Sequence, residues 1–484
     1  MTHPPNVRSA PTESPAPPGG SKAAGPGGPA GPPGSRAPGE PGTSPGLNER
    51  GPLAEVTERL RAAATTEPGR LQIIGAVLAA LVVAFGAVTA FEIADRTSAA
   101  DDVVSRSQPL SADAASVYRS LADADTAASS GFLAGAGQEP PGVRERYEKD
   151  IALASQLLIK AATNTDSASD SGRQIATLNG QLPIYTGRVE TARSYNRQGL
   201  PLGGAYLRFA NEQMTKVLLP AAQKLYDAET ARLDQDDDDA RFWPVLSLAV
   251  GLLAIGSLVW AQRRVYRHTN RVFNHGLLAA TAATTVVLLW LTVGHTVART
   301  ELNEAREHGQ KSLKVLNDAR ISSLKARANE NLVLVARGAV LTDDGKNDKY
   351  ETEYGTGMRR LGEGLRKAQG LADDSRGGDP VRDARAAVDQ WQTRHKAASA
   401  TDKAGDYEGA LRKVIGAKDS TGESFDQVDA ALAKALAHEQ REFTRAAKDG
   451  RSALGGLPIG AAALGVLGGV CVIVGINRRL SEYR

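Results

Sequence analysis

The sequence predicts an all-α membrane protein in which four transmembrane helices carry two tandem extracytoplasmic antiparallel four-helix bundles. Three observations predict it. Four apolar stretches, Leu71 to Phe91, Trp243 to Ala261, Leu277 to Ala298 and Leu454 to Ile476, contain no Asp, Glu, Lys or Arg. Each runs to about 20 residues, enough at ~1.5 Å per residue to cross ~30 Å of hydrocarbon. Between them the apolar residues recur at three and four positions, as on a helix buried along one stripe. The first long segment between spans also shares residues with the second at a nearly constant offset.

Taken in order, residues 1–52 form a tail that holds more than half of the 24 prolines and reads as a disordered cytoplasmic linker. Its GPGGPAGPPG resembles collagen, but glycine does not recur strictly every third residue. No GxxxxGK[ST] phosphate cradle is present. In the juxtamembrane segment 53–70, Leu53, Val56 and Leu60 fall on one face of a short amphipathic helix. The first span (71–91) begins too deep in the chain for a cleaved signal peptide and reads as a permanent anchor.

Orientation follows from arginine. Arg59, Arg61 and Arg70 precede the first span, Arg263, Arg264, Arg267 and Arg271 crowd the loop 262–276, and Arg478, Arg479 and Arg484 follow the fourth span. The positive-inside bias places all three groups in the cytoplasm, with both termini, and assigns the chain to the plasma membrane. Segments 92–242 and 299–453 then project outward, spans two to four occupy 243–261, 277–298 and 454–476, and residues 477–484 form a short tail. His295 is the one titratable side chain within a span and reads as interfacial. The absence of ionisable groups at mid-depth argues against transport.

The two outer segments look like copies. Ser120-Leu121 answers Ser323-Leu324, Gly135 answers Gly338 and Tyr147-Glu148 answers Tyr350-Glu351, each 203 residues apart, and Gly204-Ala205 answers Gly409-Ala410 at 205. Tyr147, Ile151, Ala154, Leu158 and Ala161 line one helix of the first, and Ile175, Leu178, Leu182, Tyr185, Val189 and Ala192 the next. The second segment has Tyr350, Tyr354, Met358, Leu361 and Leu365, then Val381, Ala384, Val388, Trp391, His395 and Ala398. Breaks near 135–142, 164–172 and 198–204, and near 338–347, 370–380 and 400–405, make four helices per segment. The first helix of each is about twice as long as the second, so a two-helix stalk is left near the membrane, and two stalks side by side would continue the four spans.

The charge and cysteine inventory narrows the function. A net charge of +3 is too small for a nucleic-acid binder. The single cysteine, Cys471, lies in an apolar stretch and excludes a disulfide framework within the chain. His308, His395 and His438 are far apart in sequence and show no metal-ligand spacing, with His395 on a core stripe. The acidic run Asp234 to Asp239 reads as a solvated, topology-marking end of a helix, and Leu218-Leu219-Pro220 as a kink in helix four. No Ser/His/Asp or Cys/His set is apparent, so neither an enzyme nor a cofactor is expected. What remains is binding on one face with an effect on the other. Three readings fit: a signal transducer, a direct small-ligand sensor of chemoreceptor type, and a passive cell-envelope scaffold. The outer contact is expected at the span-distal turns, Gln138, Glu139, Pro140 and Pro141 with Gln198, Leu200, Pro201 and Leu202. The inner one is expected at Arg263, Arg264, Arg267 and Arg271, which also suit lipid headgroups.

SLADADTAASSGFLAG from Ser120, YEKDIALA from Tyr147 and NRQGLPLGGAYLRFANEQM from Asn196, with the doubled span–bundle–span order, resemble actinobacterial membrane proteins of the GlnX type. The bundles also resemble chemoreceptor sensor domains. The resemblance implies a non-enzymatic link in amino-acid sensing: an extracytoplasmic amino-acid-binding lipoprotein docks outside, and a soluble Ser/Thr protein kinase of the protein kinase G type responds inside.

Overall fold

Apolar chain in lipid must satisfy its own backbone, which a helix does within one segment. In the computed structural model, which describes residues 67–135, 138–269 and 274–480, nearly every described residue is helical. The tail 1–52, the expected amphipathic helix after Leu53, Arg271 and residues 481–484 lie outside the described residues. Helix α1 (Glu67–Asp102) passes through a π-helical turn (Val103–Ser107) into α2 (Gln108–Leu133). Then come α3 (Pro141–Asn164), α4 (Asp170–Arg197) and α5 (Leu202–Gln213), a second π turn (Met214–Leu218), α6 (Leu219–Arg241) and α7 (Val245–Thr269). The second half repeats the order: α8 (His275–Glu304), a π turn (Ala305–Gln310), α9 (Lys311–Ala336), α10 (Lys349–Leu371), α11 (Ser375–Lys403), α12 (Tyr407–Ile415), α13 (Thr421–Ala453) and α14 (Leu457–Leu480). The expected breaks fall where helices stop, most sharply at Arg337 and Gly338, which take positive φ of 50° and 74°. Three breaks were not foreseen: the gap 416–420 between α12 and α13, and the short breaks 242–244 and 454–456 that separate α6 from α7 and α13 from α14. The kink expected at Leu218-Leu219-Pro220 is a π turn in which Leu219 N donates to Met214 O, and Pro220, which has no N–H, follows it directly.

Among the described residues, four helices, α1, α7, α8 and α14, are long and apolar enough to cross a membrane. They pack in a ring in which α1 meets α14 and α7, and α8 meets the same two. Leu78, Val82, Leu258, Leu277, Ala280 and Val472 fill its centre. Phe91, Leu252 and Ile459 point outward and are exposed, as lipid-facing residues must be. Glycine sets the closest approach: a Cβ at Gly86 would come within 2.8 Å of the Gly465 Cα, so α1 and α14 touch backbone to backbone. His295, read as interfacial, is covered by neighbouring helices at that end of α8, its ring centroid 5.0 Å from that of Trp243.

In each interspan segment the long helices close a ring: α2 on α3, α3 on α4, α4 on α5 and α6, and α6 back on α2, with α9 to α13 arranged likewise. The two rings are joined along α2 and α9. Leu121, Tyr185, Leu218, Leu324, Trp391 and Leu432 belong to one continuous apolar core, and Asn331 Nδ2 donates to Ser129 Oγ at 3.0 Å. The segments therefore share a core along the rings as well as at the stalks, where the sequence suggested contact between the stalks, and this contact places both on one side of the membrane. Toward the spans the core continues as Val103, Leu233, Ala305 and Phe443, one residue from each of the four helical strands that lead into the membrane. The acidic run there is not simply solvated. Asp238 pairs with Arg306 at 2.6 Å, and Asp237 is buried at 3.1 Å from Arg241. Burial pushes the Asp237 carboxyl up to about 6 against the pull of both arginines.

Candidate functional site

The rings bury two carboxylates at similar depth. Asp125 stands four residues after Leu121 on α2, and Glu330 four after Ala326 and three after Arg327 on α9, so each acid lies on a buried face. Asp125 accepts from the Tyr185 hydroxyl at 3.2 Å and from Asn211 Nδ2 at 2.7 Å. With no cation against it, burial pushes its carboxyl up to about 6 despite those two hydrogen bonds. Glu330 has three partners that make four contacts. Arg327 donates to Oε2 at 2.6 Å, His395 Nδ1 lies 2.8 Å from Oε1, and Trp391 Nε1 is 3.1 and 3.2 Å from the two oxygens. Burial opposes its charge, yet His395 and Arg327 hold it below the usual carboxylate range. His395 also meets Glu351 at 3.1 Å and stacks on Tyr354. Burial works against the imidazolium, but the two glutamates outweigh it and push His395 up to about 9.

Both clusters touch helix four at its irregularity. Asn211 sits just before the π turn Met214–Leu218, and Arg327 donates to Val414 O at 3.0 Å and Thr421 Oγ1 at 2.9 Å, one on each side of the gap 416–420. The bonds make each buried carboxylate a fixed point between the first, third and fourth helices of its ring.

Clefts open where the rings meet. One, of about 300 Å³, is lined by Asp125, Asn211, Lys325, Asn329, Glu353 and Arg360 among others. Asn329 is 7% exposed and its Oδ1 has no hydrogen-bond partner, so the cleft offers an unused acceptor beside groups of both signs. On the other face a cleft of about 690 Å³ lies under Arg146 and Phe425. There Arg146 pairs with Asp123 at 2.8 Å and Asp426 at 3.4 Å, crossing between the rings. Burial and the neighbouring Asp123 push Asp150 up to about 8.

The residues expected outside lie at the span-distal end of the first ring. Arg193 to Glu139 at 2.9 Å and Asn196 Nδ2 to Phe132 O at 3.0 Å draw both turns together there. Gln138, Pro140, Pro141, Gln198, Leu200, Pro201 and Leu202 are exposed, and Glu139 is half-buried against Arg193. Arg263 and Arg267 are exposed, and Arg264 lies 5.4 Å from the Trp260 ring. Asp125 and Glu330 were missed by sequence reasoning, though an acid spaced four residues after an apolar one was a usable signal. His438, isolated in sequence, lies 3.3 Å from both Asp374 and Glu442.

A family model described as an actinobacterial sensor domain matches residues 99–238, most of the first interspan segment. The match supports an actinobacterial sensor protein with a signalling role. No curated protein and no solved structure matches the chain.

Proposed function

We propose that this protein is a non-enzymatic transmembrane signal transducer that relays extracytoplasmic amino-acid availability to the cytoplasm. A solute-binding lipoprotein docks on the span-distal turns, and a cytoplasmic Ser/Thr kinase reads the other end. The single observation that carries the reading is mechanical. Helical chain runs from Glu67 through the first span and a π turn to Leu133, so a shift at the distal core is transmitted along one rod to the membrane face. The exposed Leu200 and Leu202 beside the prolines support the outer contact. The arginines around the loop 262–276 support a cytoplasmic placement of that face and of both termini.

The test is alanine at Arg263, Arg264, Arg267 and Arg271 together, with kinase-dependent phosphorylation read after an amino-acid shift. Outer-partner binding should persist while the phosphorylation response is lost, and an intact response would remove the inner assignment. A second reading, direct binding of a small zwitterion between the rings, is favoured by the unpartnered Asn329 Oδ1 and the mixed charges of its cleft. Calorimetry of the full chain with amino acids alone separates the two. Heat that disappears on Asn329→Leu would favour the direct site.

A further inference from the structure

His438 and Glu442 stand one turn apart on α13, the helix that leads to the fourth span, and side chains four apart on a helix share a face. Beside them Asp374 caps α11, its Oδ1 accepting from Gly377 N at 2.8 Å. His438 is 8% exposed, and its Nε2 lies 3.3 Å from Asp374 Oδ1 and 3.3 Å from Glu442 Oε1. That nitrogen nevertheless forms no hydrogen bond. One ligand atom from each of the three residues falls within 4.8 Å of the others.

An imidazole nitrogen and two carboxylate oxygens brought this close without a hydrogen bond have the spacing of metal ligands. Donors about 2.0–2.1 Å from a tetrahedral ion stand about 3.3–3.4 Å apart along each edge. One nitrogen and two oxygens suit Zn²⁺ with a fourth position open, whereas Ca²⁺ asks for six to eight oxygens. The Gly377 N–H donates to that same Oδ1 and so fixes where the Asp374 carboxylate stands. A Cβ at position 377 would meet the mobile end of Glu439 at 2.9 Å and the His438 ring at 3.5 Å, so the start of α11 lies directly against α13.

We propose that Asp374, His438 and Glu442 bind a zinc ion that ties the start of α11 to the span-leading helix α13. Occupancy would then set how firmly the second ring grips the rod into the membrane, whatever the ring senses. The experiment uses the untagged full chain in detergent, stripped with a chelator and titrated with Zn²⁺ against a competing dye, with zinc per chain measured by mass spectrometry. The expected result is one zinc per chain that is lost in the Asp374→Asn/Glu442→Gln double variant. Glu442→Gln alone should weaken binding tenfold or more. Zinc should also raise the melting temperature of the parent chain by several degrees and leave the double variant unmoved. Should the double variant fail to fold, Glu442→Gln decides, because Glu442 is 30% exposed and its amide is tolerated sterically. Equal zinc stoichiometry and affinity in the parent chain and Glu442→Gln, or a parent chain whose melting zinc does not change, would overturn the proposal and leave His438 as a ring packed beside two carboxylates.

Discussion

In the first interspan segment a carboxylate on the leading long helix, Asp125, is buried against an amide and a phenol; in the second, Glu330 is buried at the matching depth against a guanidinium and an imidazole. Each reaches the third helix at corresponding stripe positions, Tyr185 and Trp391, and each reaches the fourth helix at its irregularity. The difference lies in the charge of the partners. Neutral partners leave Asp125 ready to take up a proton near pH 6, whereas cationic partners keep Glu330 ionised. The chain breaks follow the same division. Where helix four is continuous through a π turn, one neutral bond suffices. Where it is interrupted at 416–420, Arg327 joins both sides and needs Glu330 to offset its buried charge.

The largest expected effect tests that asymmetry directly. Glu330→Gln removes the counter-charge of Arg327 and His395 and should cost about 3–5 kcal/mol in a denaturant melt. Asp125→Asn keeps the shape and two hydrogen-bond partners while removing an uncompensated buried charge, so its effect at pH 7 should stay within about 1 kcal/mol, with either sign. Equal losses would end the comparison. A smaller split is expected one shell out, read by thermal melting at pH 5, where Asp125 carries its proton and Glu330 does not. Trp391→Phe loses a bond to an ionised group, about 1.5–3 kcal/mol, and Tyr185→Phe a bond to a neutral one, about 1 kcal/mol.

The pH dependence sharpens the same contrast. Asp125 binds its proton more tightly folded (about 6) than unfolded (near 3.8), so this contribution to stability is full below about 3.8 and is lost as pH rises through about 6. His395, facing Glu330, Glu351, Arg327 and Tyr354, is raised from 6.5 to about 9. Its contribution is full below 6.5 and is lost as pH rises through about 9. Melts across pH 4–10 should fall through this range, with the fall near pH 6 smaller in Asp125→Asn, where Asp237 still contributes, and the fall near pH 9 absent in His395→Gln. A fall near pH 6 that is unchanged in Asp125→Asn would assign that proton elsewhere. The smallest effect belongs to the segment-to-segment pair near the spans. Arg306, 27% exposed, faces Asp238, and Arg306→Ala should cost less than about 1 kcal/mol at low salt and less still at high salt.

Much of the fold was legible because its signals are local. A run without charge can sit in lipid only as a helix, and the stripes from Tyr147, Ile175, Tyr350 and Val381 name buried faces because side chains three and four apart coincide. His395 was correctly placed on such a stripe, but the stripe says nothing of its neighbours. Glu330 and His395 are 65 residues apart, Asp125 and Asn211 are 86 apart, and Asp374 lies 64 residues before His438. No local period encodes those meetings. The gap 416–420 was also missed, because KVIGAKDSTGES carries apolar and turn residues together and Arg327, almost 90 residues away, supplies the bonds that hold it.

By itself the sequence determined that this chain is helical, that four segments cross a membrane, and which face of each interspan helix avoids water. Hydrophobic spacing along one helix is enough for all three. Only the tertiary structure decided that the two rings share one core, that their buried acids differ in the charge of their partners, and that His438 meets two carboxylates. Those outcomes depend on which helix faces which, and that choice is made by shape and charge across the whole core, not within any single helix.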